Sequence, residues 1–277
     1  MPTKRKRVAA LLVPILLGVI TGYVQLCREA QAHPLRSIIA SDTILSGMVA
    51  SLLPPQRYAV EAILPPGQCP GHYDVKLSDI QKIEKADLTV SFRGMPFMAK
   101  AGPGGKVQLS VDSGGRNWMA PESHIYGLGV LAEALVGHFP EDEETIMRRK
   151  EEAIREVKAA SDVLLARIKA SGLHGKVVIA SSMQKEPLEW MGFQVVGQYG
   201  RPESMSAREL VNLSKRGRDH QAIAVVDNLQ SGPEAGRGIA ETLGVPQVVL
   251  TNFPFERGYL ATLSENVEAV LSAVAGK

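Results

Sequence analysis

The stretch EDEETIMRRKEEAIREVKAASDVLLARIKAS, residues 141–171, decides the fold of this chain. It follows Pro140 and contains neither glycine nor proline. It is acidic at its start and basic towards its end, which is the order that the helix dipole favours. We therefore predict a single helix about 45 Å long, at about 1.5 Å of rise per residue. A helix of this length can join two separate lobes.

Short β-branched runs alternate with amphipathic runs on both sides of this helix, a pattern typical of parallel sheets flanked by helices. The predicted strands span residues 37–40, 58–64, 88–91, 107–110, 176–180, 194–198, 222–226 and 247–250. The other predicted helices span residues 43–53, 78–85, 121–137, 184–191, 206–216, 233–243 and 259–274. The predicted fold class is therefore α/β, with two lobes, each a mostly parallel sheet flanked by helices, joined by one long rigid helix.

The first 32 residues differ from the rest of the chain. Basic residues at positions 4–7 precede an uncharged apolar run over residues 8–24, and Ala30 and Ala32 supply the small residues of a cleavage site. This pattern predicts a signal peptide over residues 1–32 and a periplasmic or other extracytoplasmic location. The alternative is a retained membrane anchor, since the run reaches the minimum of roughly 17 residues for a spanning helix. The predicted domains are then an N-terminal lobe at 33–138, a linking helix at 139–172 and a C-terminal lobe at 173–277.

Charge and cysteine content change when the signal peptide is removed. Cleavage takes five basic residues and one acidic residue from totals of 31 and 29, so the mature chain has a net charge of −2. No basic stripe with interleaved aromatic residues remains, and we expect no nucleic-acid partner. Cleavage also removes Cys27 and leaves Cys69 unpaired in an oxidising compartment. Such a thiol points to metal binding, redox chemistry or an intermolecular bond.

Cys69 lies in the loop LPPGQCPGHY, residues 64–73, together with His72. Three prolines and two glycines make this loop a stiff connection after a predicted strand and before a predicted helix capped by Ser78. A thiolate and an imidazole three positions apart can bind one zinc or copper(I) ion. The alternative is that His72 hydrogen-bonds within the loop and that Cys69 is a small buried apolar residue.

Other candidate residues stand at the ends of predicted strands, where open α/β sheets bind ligands. Asp227 ends the strand AIAVVDN, and Thr251 and Asn252 follow VVL. The same residue types also cap helices. We expect the glycine-rich segment 102–105 to form a turn, because it precedes a strand and not a helix. The remaining histidines of the mature chain are expected at surfaces or helix caps: His33, His124, His138, His174 and His220.

The order of these features resembles the periplasmic solute-binding proteins of zinc and manganese ABC transporters over essentially the whole mature chain. Residues 64–90, LPPGQCPGHYDVKLSDIQKIEKADLTV, look like that family's loop, helix and strand, with His72 at its first metal-ligand position. GGRNWMAPES, KVVIASS and VVLTNF are similar to the segments that carry its other ligands. The long helix is a hallmark of its architecture, in which the metal lies between two lobes.

The resemblance implies that most of the usual ligands are replaced. Its second histidine falls on Arg116 or Asn117, its third on Ser182 or Met183, and its carboxylate on Thr251 or Asn252. Three explanations remain open. The site has moved to a softer set with Cys69, His72 and a thioether such as Met119 or Met183; or it binds an anion or a metal chelate through Arg116, Ser182 and Asn252; or the scaffold serves as an interaction protein.

We therefore predict an extracytoplasmic solute-binding protein that delivers a transition metal, zinc by family or a softer ion such as copper(I), to an ABC permease. No catalytic step is implied, and we expect a monomer. The alternative from another class is a thiol enzyme that uses Cys69 as nucleophile with His72 as base.

Overall fold

The computed structural model describes residues 34–101 and 107–275. The predicted signal peptide, His33 and the glycine-rich segment 102–105 lie outside these residues. No helix in the two described stretches is both long enough and apolar enough to cross a membrane.

Two four-stranded parallel sheets organise the chain. The strands of the first sheet are β1 (Arg36–Ala40), β2 (Tyr58–Ala62), β3 (Leu88–Phe92) and β4 (Gln108–Val111). Those of the second are β5 (Val177–Ser181), β6 (Gln194–Tyr199), β7 (Ala224–Asn228) and β8 (Gln247–Leu250). The orders are β2-β1-β3-β4 and β6-β5-β7-β8, so the two lobes share one topology. The predicted strands are confirmed, with boundaries that move by at most two residues.

The helices cover the two sheets and connect their strands. They are α1 (Thr43–Leu52), α2 (Leu77–Lys85), α3 (Pro96–Lys100), α4 (Pro121–His138), α5 (Glu143–Ala170), α6 (Lys185–Trp190), α7 (Ala207–Asp219), α8 (Arg237–Leu243) and α9 (Tyr259–Ala275). The short helix α3 was not expected. Ser78 lies inside α2 and does not cap it, because the Asp79 carboxylate accepts the Lys76 N–H at 2.9 Å and places the helix start one residue earlier.

The long helix α5 has 28 residues and follows one turn of 3₁₀ helix at Pro140–Asp142. Acidic residues occupy its first turn and basic residues its last, as the sequence predicts. Its start is tied to the first sheet, where Tyr58 Oη donates to Asp142 Oδ2 at 2.5 Å and Arg57 pairs with the same carboxylate. Near its other end, Arg167 forms an ion pair with Glu268 of α9 at 2.5 Å.

The main hydrophobic core contains residues from both sheets and from α5. By its contacts, the chain from Arg36 onward forms one compact unit. Close packing requires a glycine at position 127 of α4, because a Cβ atom there would lie 2.7 Å from the Trp118 ring and 2.8 Å from Met48. The division into lobes at residues 138 and 172 stays a prediction.

Candidate ligand site

A cavity of about 670 Å³ lies at the carboxyl ends of strands from both sheets. Its walls come from segments that follow β1, β3 and β4 in the first lobe and β5 and β8 in the second. Open α/β sheets bind ligands at this edge. The lining includes six residues that the sequence analysis singled out, namely Arg116, Asn117, Met119, Ser182, Met183 and Asn252.

Asn117 is the centre of a hydrogen-bond network in the cavity wall. Its Nδ2 donates to the Met183 carbonyl at 2.6 Å and to Asn252 Oδ1 at 3.0 Å, both in the second lobe. Its Oδ1 accepts the Met119 N–H at 2.9 Å. Both polar atoms of the Asn117 side chain are therefore already bonded within the protein.

Asn252 is engaged to the same extent. Its Oδ1 also accepts Gln184 Nε2 at 2.9 Å, and its Nδ2 donates to the Met183 carbonyl at 3.2 Å. Its backbone N–H donates to Gln230 Oε1 at 3.1 Å. Each asparagine is one of two candidate positions for a ligand that the family resemblance implies, and the two side chains bond to each other and to their neighbours.

Glu186 is the carboxylate that the network holds. Its Oε2 accepts the Asn117 N–H at 2.6 Å, and its Oε1 accepts the Ser123 hydroxyl. Both donors belong to the first lobe, whereas Glu186 lies on α6 of the second. Next to it, Lys185 lies 3.7 Å from Glu189 one turn further along α6.

The opposite wall of the cavity is apolar and aromatic. The Phe92 and Trp118 rings meet edge to face with centroids 4.8 Å apart, and Trp118 Nε1 donates to the Ser113 carbonyl at 3.3 Å. Arg116 stands at the rim with its guanidinium carbon 4.7 Å from the centre of the Tyr126 ring. Within the described ranges Arg116 forms no ion pair, so its charge is oriented but not neutralised.

His124 lies behind this wall, and its predicted place at a surface or cap is wrong. The residue is buried, and its ring stacks on Tyr259 with centroids 3.6 Å apart. Its Nδ1 lies 3.1 Å from the Trp118 carbonyl. Burial lowers the pKa of His124 to about 4, although the bond to the carbonyl acts in the opposite direction. His124 is therefore neutral near pH 7 and stabilises the wall as a packed ring.

A second, smaller hollow of about 280 Å³ contains Cys69 and His72. Cys69 is half-buried and His72 is exposed, and a turn joins them through a 3.1 Å bond from the His72 N–H to the Cys69 carbonyl. Tyr73, the next residue, is buried and donates to Asp79 at 2.7 Å, which fixes the end of the loop on α2. The loop therefore places a thiol and an imidazole in the same hollow.

The other side of this hollow comes from the second lobe. The Arg201 guanidinium packs on Gly71, where a Cβ atom would lie 2.9 Å from it. Gln230 Nε2 donates to the Pro66 carbonyl at 2.5 Å and to Thr251 Oγ1 at 2.7 Å. Gln230 thus connects the loop of the first lobe to the strand ends of the second.

Asp227 and Thr251 line neither the cavity nor the hollow. Asp227 is fully buried and accepts from Tyr199 Oη at 2.7 Å, from the Gly236 N–H at 2.8 Å and from Gln247 Nε2 at 2.5 Å. The sequence predicts a helix from residue 233, but α8 begins only at Arg237. The Asp227 carboxylate holds the segment before Arg237 as a turn. The binding roles of both residues stay predictions.

Apart from Asp227 and Thr251, the structure divides the predicted site residues into two groups. Six line the cavity, Cys69 and His72 line the hollow, and the thioethers proposed as partners of Cys69 belong to the first group. In residues 34–101 and 107–275, no three His, Cys, Asp or Glu side chains are placed to hold a metal ion. Sequence reasoning missed Lys185, Glu186 and Gln230, although all three follow strands that were predicted correctly.

Solved structures that are similar to this chain include periplasmic metal-binding proteins and an adhesin. A cadmium-bound periplasmic metal binding protein from Candidatus Liberibacter asiaticus aligns with a TM-score of 0.74 at 15% identity, covering 86% of this chain and 99% of that chain. A crystal structure of ZnuA aligns with a TM-score of 0.70 at 14% identity, and a mutant laminin-binding adhesin from Streptococcus agalactiae with 0.71 at 14%, both with the same coverage. At such identities the likeness shows the fold.

The family is identified by the sequence itself. The family described as ZnuA, zinc-uptake complex component A, periplasmic, matches residues 38–273. The chain belongs to this family of periplasmic metal-binding proteins of ABC transport. No curated protein matches it in sequence.

Proposed function

We propose that this protein is the extracytoplasmic solute-binding component of an ABC importer for a transition metal. The observation that carries the proposal is the cavity of about 670 Å³ at the strand ends of both lobes, in a chain of the ZnuA family. In this proposal the predicted signal peptide exports the chain. The mature protein acts as a monomer and hands its cargo to a membrane permease.

Zinc is the cargo that the family favours, and a thiophilic ion such as copper(I) is the one that Cys69 favours. The family positions in the cavity offer amides, a guanidinium, a hydroxyl and a thioether, which do not make the usual zinc shell. Cys69 and His72 supply two donors in the hollow. The metal therefore binds at Cys69 and His72, or it enters the cavity as a complex that already holds its metal ligands.

Metal accumulation in cells tests this function. A strain that lacks the gene is grown at limiting zinc, manganese or copper, and its metal content is measured by mass spectrometry. We expect a deficit in at least one of these metals, restored by the full-length chain. Unchanged content of all three would overturn the proposal.

Variants of the same chain then locate the donors. Cys69→Ala and His72→Ala are compared with His138→Ala, which removes an exposed imidazole at the end of α4. If the hollow holds the metal, the first two variants fail to restore accumulation and the third restores it.

A further inference from the structure

We infer that the cavity takes an organic anion, a carboxylate-bearing molecule with a flat apolar part, held between Arg116 and Lys185 against the apolar wall at Phe92. This inference rests on the proposed function in one respect only, that the cavity is where the cargo sits. The anion enters either free or as the chelating shell of the transported metal.

The first observation is the charge at the cavity. Arg116 of the first lobe and Lys185 of the second both line it. Arg116 has no ion-pair partner within the described ranges, and Tyr126 holds its guanidinium in place. A guanidinium matches a carboxylate with two parallel hydrogen bonds, which makes it a strong anion-binding group.

Two carboxylates also line the cavity, so its lining carries two positive and two negative formal charges, but neither carboxylate forms an ion pair with Arg116. Glu186 already accepts the Asn117 N–H and the Ser123 hydroxyl. Glu189 is exposed and lies 3.7 Å from Lys185, a separation at which an exposed pair contributes little. Lys185 therefore remains able to meet an incoming anion.

The second observation is that no three His, Cys, Asp or Glu side chains in residues 34–101 and 107–275 are placed to hold a bare ion. The Asn117 and Asn252 side-chain oxygens both accept hydrogen bonds from protein N–H groups. Breaking these bonds would leave buried partners unsatisfied, which costs about 1–3 kcal/mol for each group. A ligand that brings its own metal donors avoids this cost.

The third observation is size and surface. A volume of about 670 Å³ falls within the range of sites for small organic molecules, roughly 300–1,000 Å³. The wall formed by Phe92, Met95 and Trp118 is apolar and aromatic, and a flat ring packs well on such a surface. A hydrated metal ion would gain nothing from that wall.

Isothermal titration calorimetry of the purified mature chain tests the inference. The probes are dipicolinate, which is a pyridine ring with two carboxylates, then its zinc complex, citrate, and zinc chloride alone. We expect dipicolinate or its zinc complex to bind, and comparison of these two arms shows whether the anion enters free or with metal. Arg116→Met and Lys185→Met should each weaken binding about tenfold or more, because each removes a charge-assisted contact.

Arg93→Met is the matched control, since Arg93 is an exposed arginine of the same lobe that pairs with Asp112 at 2.9 Å and does not line the cavity. Arg93→Met should bind dipicolinate or its zinc complex with the same affinity as the unaltered chain. No binding of dipicolinate, its zinc complex or citrate at millimolar concentration would overturn the inference, as would equal losses in Arg93→Met and Arg116→Met. Binding of the zinc complex that Cys69→Ala abolishes and Arg116→Met leaves unchanged would also overturn it and would leave the proposed importer function intact.

Discussion

The cavity and the hollow are lined by different kinds of side chain, although both are built from the same two lobes. The cavity has charged and aromatic groups, and its amides are bonded to one another. The hollow has less than half the volume and holds a thiol and an imidazole. The positions that the family resemblance implies as one metal shell are therefore separated here, since His72 lines the hollow and the other implied positions, except Thr251, line the cavity. The two regions can be tested one at a time.

The largest expected effect concerns the wall behind the cavity. Because the pKa of His124 is about 4 in the folded chain and 6.5 when exposed, the unfolded chain binds the proton more readily. The stability that neutral His124 provides is complete above pH 6.5 and is lost as the pH falls towards 4, by up to about 3 kcal/mol. Urea unfolding measures the free energy of unfolding of the native chain and of His124→Phe, which keeps an aromatic ring at this position. The value for the native chain minus the value for His124→Phe should rise as the pH rises from 4 to 6.5.

The pH dependence of the native chain alone does not isolate His124, because the buried Asp42 titrates in the same pH range. Burial raises the pKa of this carboxyl from 3.8 to about 6, so its contribution to stability falls as the pH rises through the same window. The two groups partly cancel in the native chain, and only the difference from His124→Phe isolates the histidine. A difference that is constant from pH 4 to pH 7 would contradict the assignment.

The next effect concerns the asparagine network. Asn117→Ala removes the hydrogen bonds to Met183, Asn252 and Met119 and should lower the free energy of unfolding by about 2 kcal/mol. Asn212→Ala, an exposed amide on α7, should change it by less than about 0.5 kcal/mol. Equal unfolding midpoints for the two variants would show that the network adds no stability.

The hollow should respond to a soft ion. If Cys69 and His72 bind zinc or copper(I), a tenfold excess of the ion over its Kd stabilises the chain by about 1.4 kcal/mol. Adding the ion should raise the midpoint temperature of thermal unfolding of the native chain and of Arg116→Met, but not that of Cys69→Ala. An increase that survives in Cys69→Ala would place the ion elsewhere. If the ion does not raise this midpoint and Cys69 is alkylated fast, the result would favour the thiol enzyme.

The smallest expected effect separates ligand binding from folding in the cavity. Arg116 is exposed, so Arg116→Met should change the free energy of unfolding by less than about 0.5 kcal/mol. Urea unfolding without ligand measures this directly. A larger loss would mean that Arg116 supports the fold through Tyr126 and is not reserved for a ligand.

Local patterns were sufficient to predict the architecture. Strand β8 was predicted with its observed bounds, and the long helix was evident from the 31 residues 141–171, which contain neither glycine nor proline. These features depend on side-chain periodicity and backbone preference within one segment, which a single sequence displays. The family match over residues 38–273 confirms the resemblance that was drawn from four segments and the long helix.

The site was harder to predict because its contacts join distant positions. Asn117 meets Met183 and Asn252 from 66 and 135 residues away, and no local pattern encodes such pairs. Asp227 ends a strand, as the sequence indicates, but only the fold shows that Tyr199, Gly236 and Gln247 surround its carboxylate. Residue identity at a strand end predicts a polar role and does not say whether the partner is a ligand or the protein.

The ion pairs at the two ends of α5 have a consequence for how a permease would meet this protein. Asp142 ties the start of the helix to Arg57, and Arg167 ties its last turns to Glu268. A 28-residue helix spans about 42 Å. Helix α5 is therefore anchored to the first sheet at its start and to α9 near its end, so in the proposed importer a permease that contacts both lobes would meet a spacing set by this one helix.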